Sequence, residues 1–147
     1  MNIIISSIEY SRNGGIGRYV VELCEALSRQ GNNVHVITSR SKLESPGVIL
    51  HILPVIRWTK SLEVLSTCLI FTAYSRWLKH SLGKAVINGS GAEILLPDVW
   101  TLHSVQKEGV KISRKERGFL YSLLKPFEPR SMCVLLIEKI NAWGARC

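Results

Sequence analysis

Residues 2–38 read NIIISSIEYSRNGGIGRYVVELCEALSRQGNNVHVIT, and this stretch decides the fold. Residues 2–8 are short, β-branched and apolar, the pattern of a strand buried on both faces in a parallel sheet. Residues 9–15 form a loop that closes on Gly14 and Gly15. From there Ile16, Val20, Leu23 and Leu27 recur at helical spacing and define one apolar face. Arg18, Glu22, Glu25 and Arg29 lie largely elsewhere, and Gly31 is a natural helix stop. Residues 33–38 alternate and are rich in Val and Ile, which predicts a second strand. Strand, glycine loop, helix, strand is the order of a right-handed βαβ unit.

Outward from that unit the alternation continues. Residues 48–52 (VILHI) predict a third strand, stopped by Pro54. Residues 62–82 predict a long helix ended by Gly83. Its most apolar part, 62–74, contains Glu63 and is shorter than the roughly 20 apolar residues that span a bilayer, so a buried core helix is expected. Residues 85–88 (AVIN) predict a strand followed by Gly-Ser-Gly, and residues 98–102 another, with His103 at its C-terminal end. Residues 111–127 are basic and apolar together and suit a helix up to Pro126. Residues 133–143 suit one more. The whole predicts an α/β fold over 1–147 as a single domain: a Rossmann-like open, mostly parallel sheet with helices on both faces.

Composition narrows the chemistry. The 147 residues suit one domain and can bury roughly 70% of the unfolded chain's surface, so no metal or disulfide is needed for a core. Asp98 is the sole aspartate, which excludes a DxD metal clamp, an EF-hand loop and an aspartate dyad. Cys24, Cys68, Cys133 and Cys147 share no zinc-ligand spacing with His35, His51, His80 and His103. Neither a metal nor a bound cofactor is therefore expected. The residues at the N-terminus lack the basic start and long apolar run of a signal peptide, and the scattered cysteines read as reduced core filler. A cytoplasmic location follows as the expectation. The net charge of +8 fits a surface for nucleic acid, for anionic membrane or for phosphorylated small molecules, or a plain solvated surface.

Ligands of such sheets bind outside the carboxyl ends of the strands. That edge holds the loop around Gly14, Gly15 and Gly17, together with Ser39, residues 89–91 and His103. Glycines there let backbone approach a ligand, and the helix that follows points unpaired N–H groups at an anion such as phosphate. The alternative is a tight turn that only packs the helix on the sheet. A Walker A loop is excluded, because no Gly-Lys-Ser/Thr triplet exists. The dinucleotide fingerprint fits at Gly15 and Gly17, but Val20 stands at the third glycine. The second strand runs into Thr38, Ser39 and Arg40, with no acid for a ribose, while Arg40 suits a 2′-phosphate and keeps an NADP-like binding module open.

The opening stretch resembles the start of family 4 glycosyltransferases, through Gly14, Gly15, Gly17, Arg18, Gly31, Val34, Val36 and Thr38. The segment VINGSGAEILLPDVWTLHSVQKEG is also similar to that family, where a strand ends in the histidine on which His103 falls. KPFEPRSMCVLLIEKINAWGA resembles its glutamate-bearing helix, with Glu138 at the glutamate. The resemblance implies the N-terminal, acceptor-side half of a GT-B fold, incomplete at its C-terminal end. It implies transfer of a sugar from a nucleotide-sugar donor to a glycan or lipid-linked acceptor, in cell-envelope polysaccharide biosynthesis. A C-terminal transferase domain, in cis or in trans, would hold most of the donor site. Alone the chain is expected to be inactive, and an inactive remnant is the competing outcome.

Within that reading Gly14, Gly15, Gly17 and Arg18 approach donor phosphate and sugar, and His103 acts in catalysis by bonding a sugar hydroxyl. Each has a plainer alternative: a structural histidine at a strand end, a solvated or loop-bracing Arg18, a structural Glu138. Glu9 and Ser11 are accessible loop residues. Residues 111–127 carry Lys111, Arg114, Lys115, Arg117 and Lys125 beside Phe119, Leu120, Leu123 and Leu124. They suit peripheral contact with the inner face of a membrane, or a helix packed on its own core. No nucleic-acid motif is present, so nucleic acid is not an expected partner.

Overall fold

The computed structural model describes residues 1–101 and 129–144. Five strands form the main sheet: β1 (Asn2–Ser6), β3 (Asn33–Thr38), β5 (Val48–Ile52), β6 (Ala85–Ser90) and β7 (Val99–Thr101). Their order is β5-β3-β1-β6-β7, and every neighbouring pair is parallel. The chain builds outward from β1 on one side, then returns to lay β6 on the other. The C-terminal ends of β1 and β6 therefore flank the point where strand order reverses, which is where such sheets open a crevice.

Helix α1 (Gly15–Arg29) covers one face of the sheet. Ile3, Ile5, Val34 and Val36 point to it and pack with Val20, Val21 and Cys24. Helix α2 (Lys60–Leu82) covers the other face, where Ile4, Ile37 and Ile87 meet Phe71 and Leu78. The alternation of strand side chains thus feeds two separate cores, which is why β1 and β3 are apolar at almost every position. Helix α3 (Pro129–Gly144) lies beside α2.

Several sequence expectations need correction. Strand β1 ends at Ser6 rather than Ile8, and β6 runs on to Ser90. Ile16 is exposed, and the buried stripe of α1 is Val20, Val21 and Cys24, with Leu23 and Leu27 at its margin. Ile16 stands in the first turn of α1, where Gly17 rather than Ile16 is the residue set against the loop at Ser11. The helix around 62–74 is not buried all round. It buries Thr67, Cys68, Phe71, Ser75 and Leu78, while Leu62, Leu65, Leu69 and Trp77 are exposed. The expected loop 9–15 contains a short strand, β2 (Glu9–Tyr10), paired in parallel with β4 (Arg40–Ser41). Helix α3 begins at Pro129, four residues before the expected Cys133. The helix stops hold: Gly31 and Gly83 adopt φ of 80° and 73°, the left-handed region that glycine enters freely.

Candidate functional site

The loop from Ser7 to Gly14 is fastened at both ends of its own small ribbon. Thr38 Oγ1 and Ser39 Oγ donate to the Ile8 carbonyl at 3.2 and 2.9 Å. Tyr10 is fully buried and donates to Ser45 Oγ at 3.0 Å. Ser45 in turn donates to Glu25, which also receives Arg12 at 2.7 Å. Burial raises the Tyr10 phenol above its usual value, so it stays a hydrogen donor. Ser11 donates to Glu9 Oε1 at 2.9 Å, and this bond, helped by Lys42, holds the Glu9 carboxyl below its usual value. Glu9 and Ser11 therefore satisfy each other within the loop.

Gly14 precedes α1 with φ 87° and ψ 161° and offers no capping side chain. No acidic residue stands in the first turn. The first intrahelical bond runs from Arg18 N–H to the Gly14 carbonyl at 3.2 Å, so the amides before it have no intrahelical partner. The three glycines do different things. A Cβ built on Gly14 or Gly15 meets nothing within 4 Å, so this corner is open. A Cβ on Gly17 would stand 2.7 Å from the Ser11 carbonyl oxygen and 3.4 Å from its hydroxyl. Gly17 thus lets the first turn of α1 lie directly on the loop. Replacing Gly17 by alanine should destabilise the domain by about 1–3 kcal/mol, because backbone rather than a flexible side chain must give way. Urea unfolding checks this, and a loss below about 0.5 kcal/mol would show that the loop yields freely.

Arg18 does not reach toward the glycine corner. Its Nε donates to Glu22 at 2.7 Å along the exposed helix face. Arg40 lies 3.6 Å from Glu63, which gives its guanidinium a partner within the chain. His103 and residues 111–127 lie outside the described residues. Glu138 is half-buried on α3.

Across the crevice from the loop, Ser90 N–H contacts Ser6 Oγ at 3.4 Å, tying the ends of β1 and β6. Gly89 must be glycine for packing: a Cβ there would run into Ile94 and press on Pro97 at 3.0 Å. The turn after β6 also brings Glu93 inward. The residue retains some exposure, but its Oε2 is out of solvent and has no hydrogen-bond partner. Burial pushes its carboxyl up to about 8, against a smaller opposite pull from the Ile8 backbone amide. The acid is therefore mostly protonated at neutral pH. Composition carries no sign of this. The only signal is a glutamate two residues after a strand-ending Gly-Ser-Gly.

The loop 91–98 is held by its neighbours rather than by its own turns. Asn141 of α3 accepts from Leu96 N–H and donates to the Ile94 carbonyl, both at 2.8 Å. Arg76 of α2 donates to the Leu96 carbonyl at 2.6 Å. Asp98 accepts from Lys79 at 2.6 Å and from the Ile87 amide at 2.8 Å. Partial burial works against ionising Asp98, but these donors outweigh it and its carboxyl lies below the usual value. Among the described residues no group of three or more His, Cys, Asp or Glu stands ready for a metal.

A parallel sheet in this order, with a glycine loop and an uncapped helix start at its ligand edge, is shared by several families. Residues 13–135 match the family model described as Glycosyltransferase Family 4. The chain belongs to that family. Among solved structures, WaaG, a glycosyltransferase involved in lipopolysaccharide biosynthesis, matches with a TM-score of 0.65 at 18% identity. The match covers 98% of this chain and 34% of that one, so the chain spans about a third of WaaG's length. That likeness is one of fold, and it assigns the sheet of this family 4 chain to one half of a GT-B architecture. No curated protein matches the chain. No helix among the described residues is long and apolar enough to cross a membrane.

Proposed function

We propose that the chain is the acceptor-side domain of a transferase that moves a sugar from a nucleotide-sugar donor to a glycan or lipid-linked acceptor. A second domain, in cis or in trans, completes the active site. The carrying observation is the open glycine corner: amides at the start of α1 with no capping side chain from Gly14, no acidic side chain in the first turn, and room around Gly14 and Gly15. As the glycosidic bond breaks, the leaving nucleoside diphosphate gains negative charge. Preorganised N–H donors and the positive end of a helix stabilise that charge. Gly14 and Gly15 make the approach, Gly17 seats the helix, and Arg18 adds positive potential without direct contact. His103 bonds a sugar hydroxyl in the cleft. The product belongs to cell-envelope polysaccharide assembly. It forms in the cytoplasm, with residues 111–127 touching the inner membrane face.

The test is an amide NMR titration of the purified chain with a nucleoside diphosphate. Saturable shifts at Gly14, Gly15 and Ile16, weakened by salt, are expected. Shifts confined to other regions, or none at millimolar ligand, would remove the glycine corner from the reading. In the same preparation no sugar-nucleotide turnover is expected, and measurable transfer would overturn the need for a second domain. The NADP-like alternative gains nothing from the structure, because Arg40 is drawn to Glu63.

A further inference from the structure

On the α2 face of the sheet three polar rings meet, away from the glycine corner. His35 of β3 and His51 of β5 approach through Nδ1 and Nε2 at 3.0 Å. Tyr74 of α2 reaches His51 Nδ1 with its hydroxyl at 2.9 Å. The two imidazoles are nearly parallel, 22° apart, with centroids 5.3 Å apart. With the nitrogens 3.0 Å apart, that spacing fits an end-to-end N–H···N bond better than a face-to-face stack. Tyr74 packs at a tilt on both His51 and Trp77. The contacts span three elements, and β5 is an edge strand of the sheet among the described residues.

We propose that His35, His51 and Tyr74 form an acid-sensitive latch, which fastens the edge strand β5 to α2 when both imidazoles are neutral and releases it when they are protonated. In the neutral chain one proton sits in each contact, so both bonds are satisfied whichever way the chain points. A first added proton places a charge in a half-buried site that no carboxylate of the described residues faces. A second sets N–H against N–H and breaks the imidazole bond.

Among the described residues the surroundings supply no counter-charge. His35 and His51 are the only titratable residues on β3 and β5. On α2, Glu63 lies with Arg40 and Lys60, Arg76 bonds the Leu96 carbonyl, and Lys79 pairs with Asp98. His80 stands in the last turn. Burial lowers both imidazoles below the ordinary value, and His35 lowers His51 further. The sign follows: folding favours the neutral pair. Its stabilisation is complete above about pH 6.5 and is lost as pH falls toward the lowered values. Each pH unit travelled in that window multiplies the opening equilibrium about tenfold per proton taken up. Release also reaches the ligand edge, since the segment after β5 carries Arg57, which donates to the Ser39 carbonyl at 3.2 Å.

The experiment uses the full chain. Imidazole resonances of His35 and His51 are followed from pH 8 to 4.5, with amide hydrogen exchange measured at pH 7 and 5 and corrected for intrinsic rates. Coupled titrations below pH 6.5 are expected, with exchange at β5 amides rising about tenfold or more relative to β1. Tyr74→Phe keeps the ring packing and removes the hydroxyl. It should raise β5 exchange at pH 7 and shrink the pH-dependent change. Independent titration of both histidines near 6.5, or unchanged β5 exchange at pH 5, would overturn the latch. Both of those measurements are made on the wild-type chain, so the latch stands or falls on them even if Tyr74→Phe folds poorly.

Discussion

Asn141→Leu is expected to lower the unfolding free energy by about 2–5 kcal/mol. The side chains share the same branching, so the change removes both hydrogen bonds while keeping a similar shape. Asn141 is buried, and its amide holds both a carbonyl and an N–H of the loop 91–98. Leucine would leave the Ile94 carbonyl and the Leu96 amide without those partners, at about 1–3 kcal/mol each where water cannot replace them. Leu96 raises the stakes, because it holds φ 48°, a left-handed conformation that a branched side chain seldom adopts. Without Asn141, Arg76 alone among the described residues still bonds the Leu96 backbone. Urea unfolding at pH 7 checks the value. A loss below about 1 kcal/mol would mean that water enters and satisfies the loop. The same loop carries Glu93 to the crevice, so this variant should also disturb the amides around Ile8.

Glu93→Gln is expected to change how stability depends on pH. The folded carboxyl titrates at about 8, well above its ordinary 4.5. The folded state therefore holds a proton that the unfolded chain releases. For a group raised in this way the stabilising contribution is full below pH 4.5 and is lost as pH rises through 8. Glutamine imitates the protonated acid and removes the titration. Relative to wild type, the variant should gain on the order of 3 kcal/mol between pH 5 and pH 8.5. Denaturant midpoints at those two pH values measure the difference. Parallel pH profiles for the two proteins would show that Glu93 ionises normally and faces water. The imidazole latch acts in the opposite direction, losing stability as pH falls, so Glu93→Gln and Tyr74→Phe separate the two effects.

Much of the fold is legible because it depends on near-neighbour pattern. The doubly apolar runs 2–8 and 33–38 predict β1 and β3, and Gly31 and Gly83 stop α1 and α2 where they are placed. The βαβ order then leaves few topologies. The glycine turn is readable as a turn: Gly14 precedes α1, Gly15 opens it, and a Cβ on either would meet nothing within 4 Å. Where the reading falters, distance along the chain is the cause. Ile16 fits the helical stripe by spacing, yet it is exposed in the first turn, where Gly17 meets the loop instead. The exposed Leu62, Leu65 and Leu69 show that an apolar helix can be covered on one face only. The ribbon of β2 with β4 has no local signal, since Glu9–Tyr10 and Arg40–Ser41 are far apart in the chain and meet only after β1 and β3 have paired.

Sequence alone determined the α/β class, the βαβ start, the glycine loop at the ligand edge and the resemblance to family 4, because each rests on residues close together in the chain. Tertiary structure alone decided that Gly17 packs while Gly14 and Gly15 stay open, and that Arg18 turns to Glu22. It also decided that Asn141 spans 47 positions to grip the Ile94 carbonyl, and that Glu93 keeps its proton. Burial and unpaired polar atoms are properties of what surrounds a residue. Those surroundings come from segments that meet only when the chain is folded.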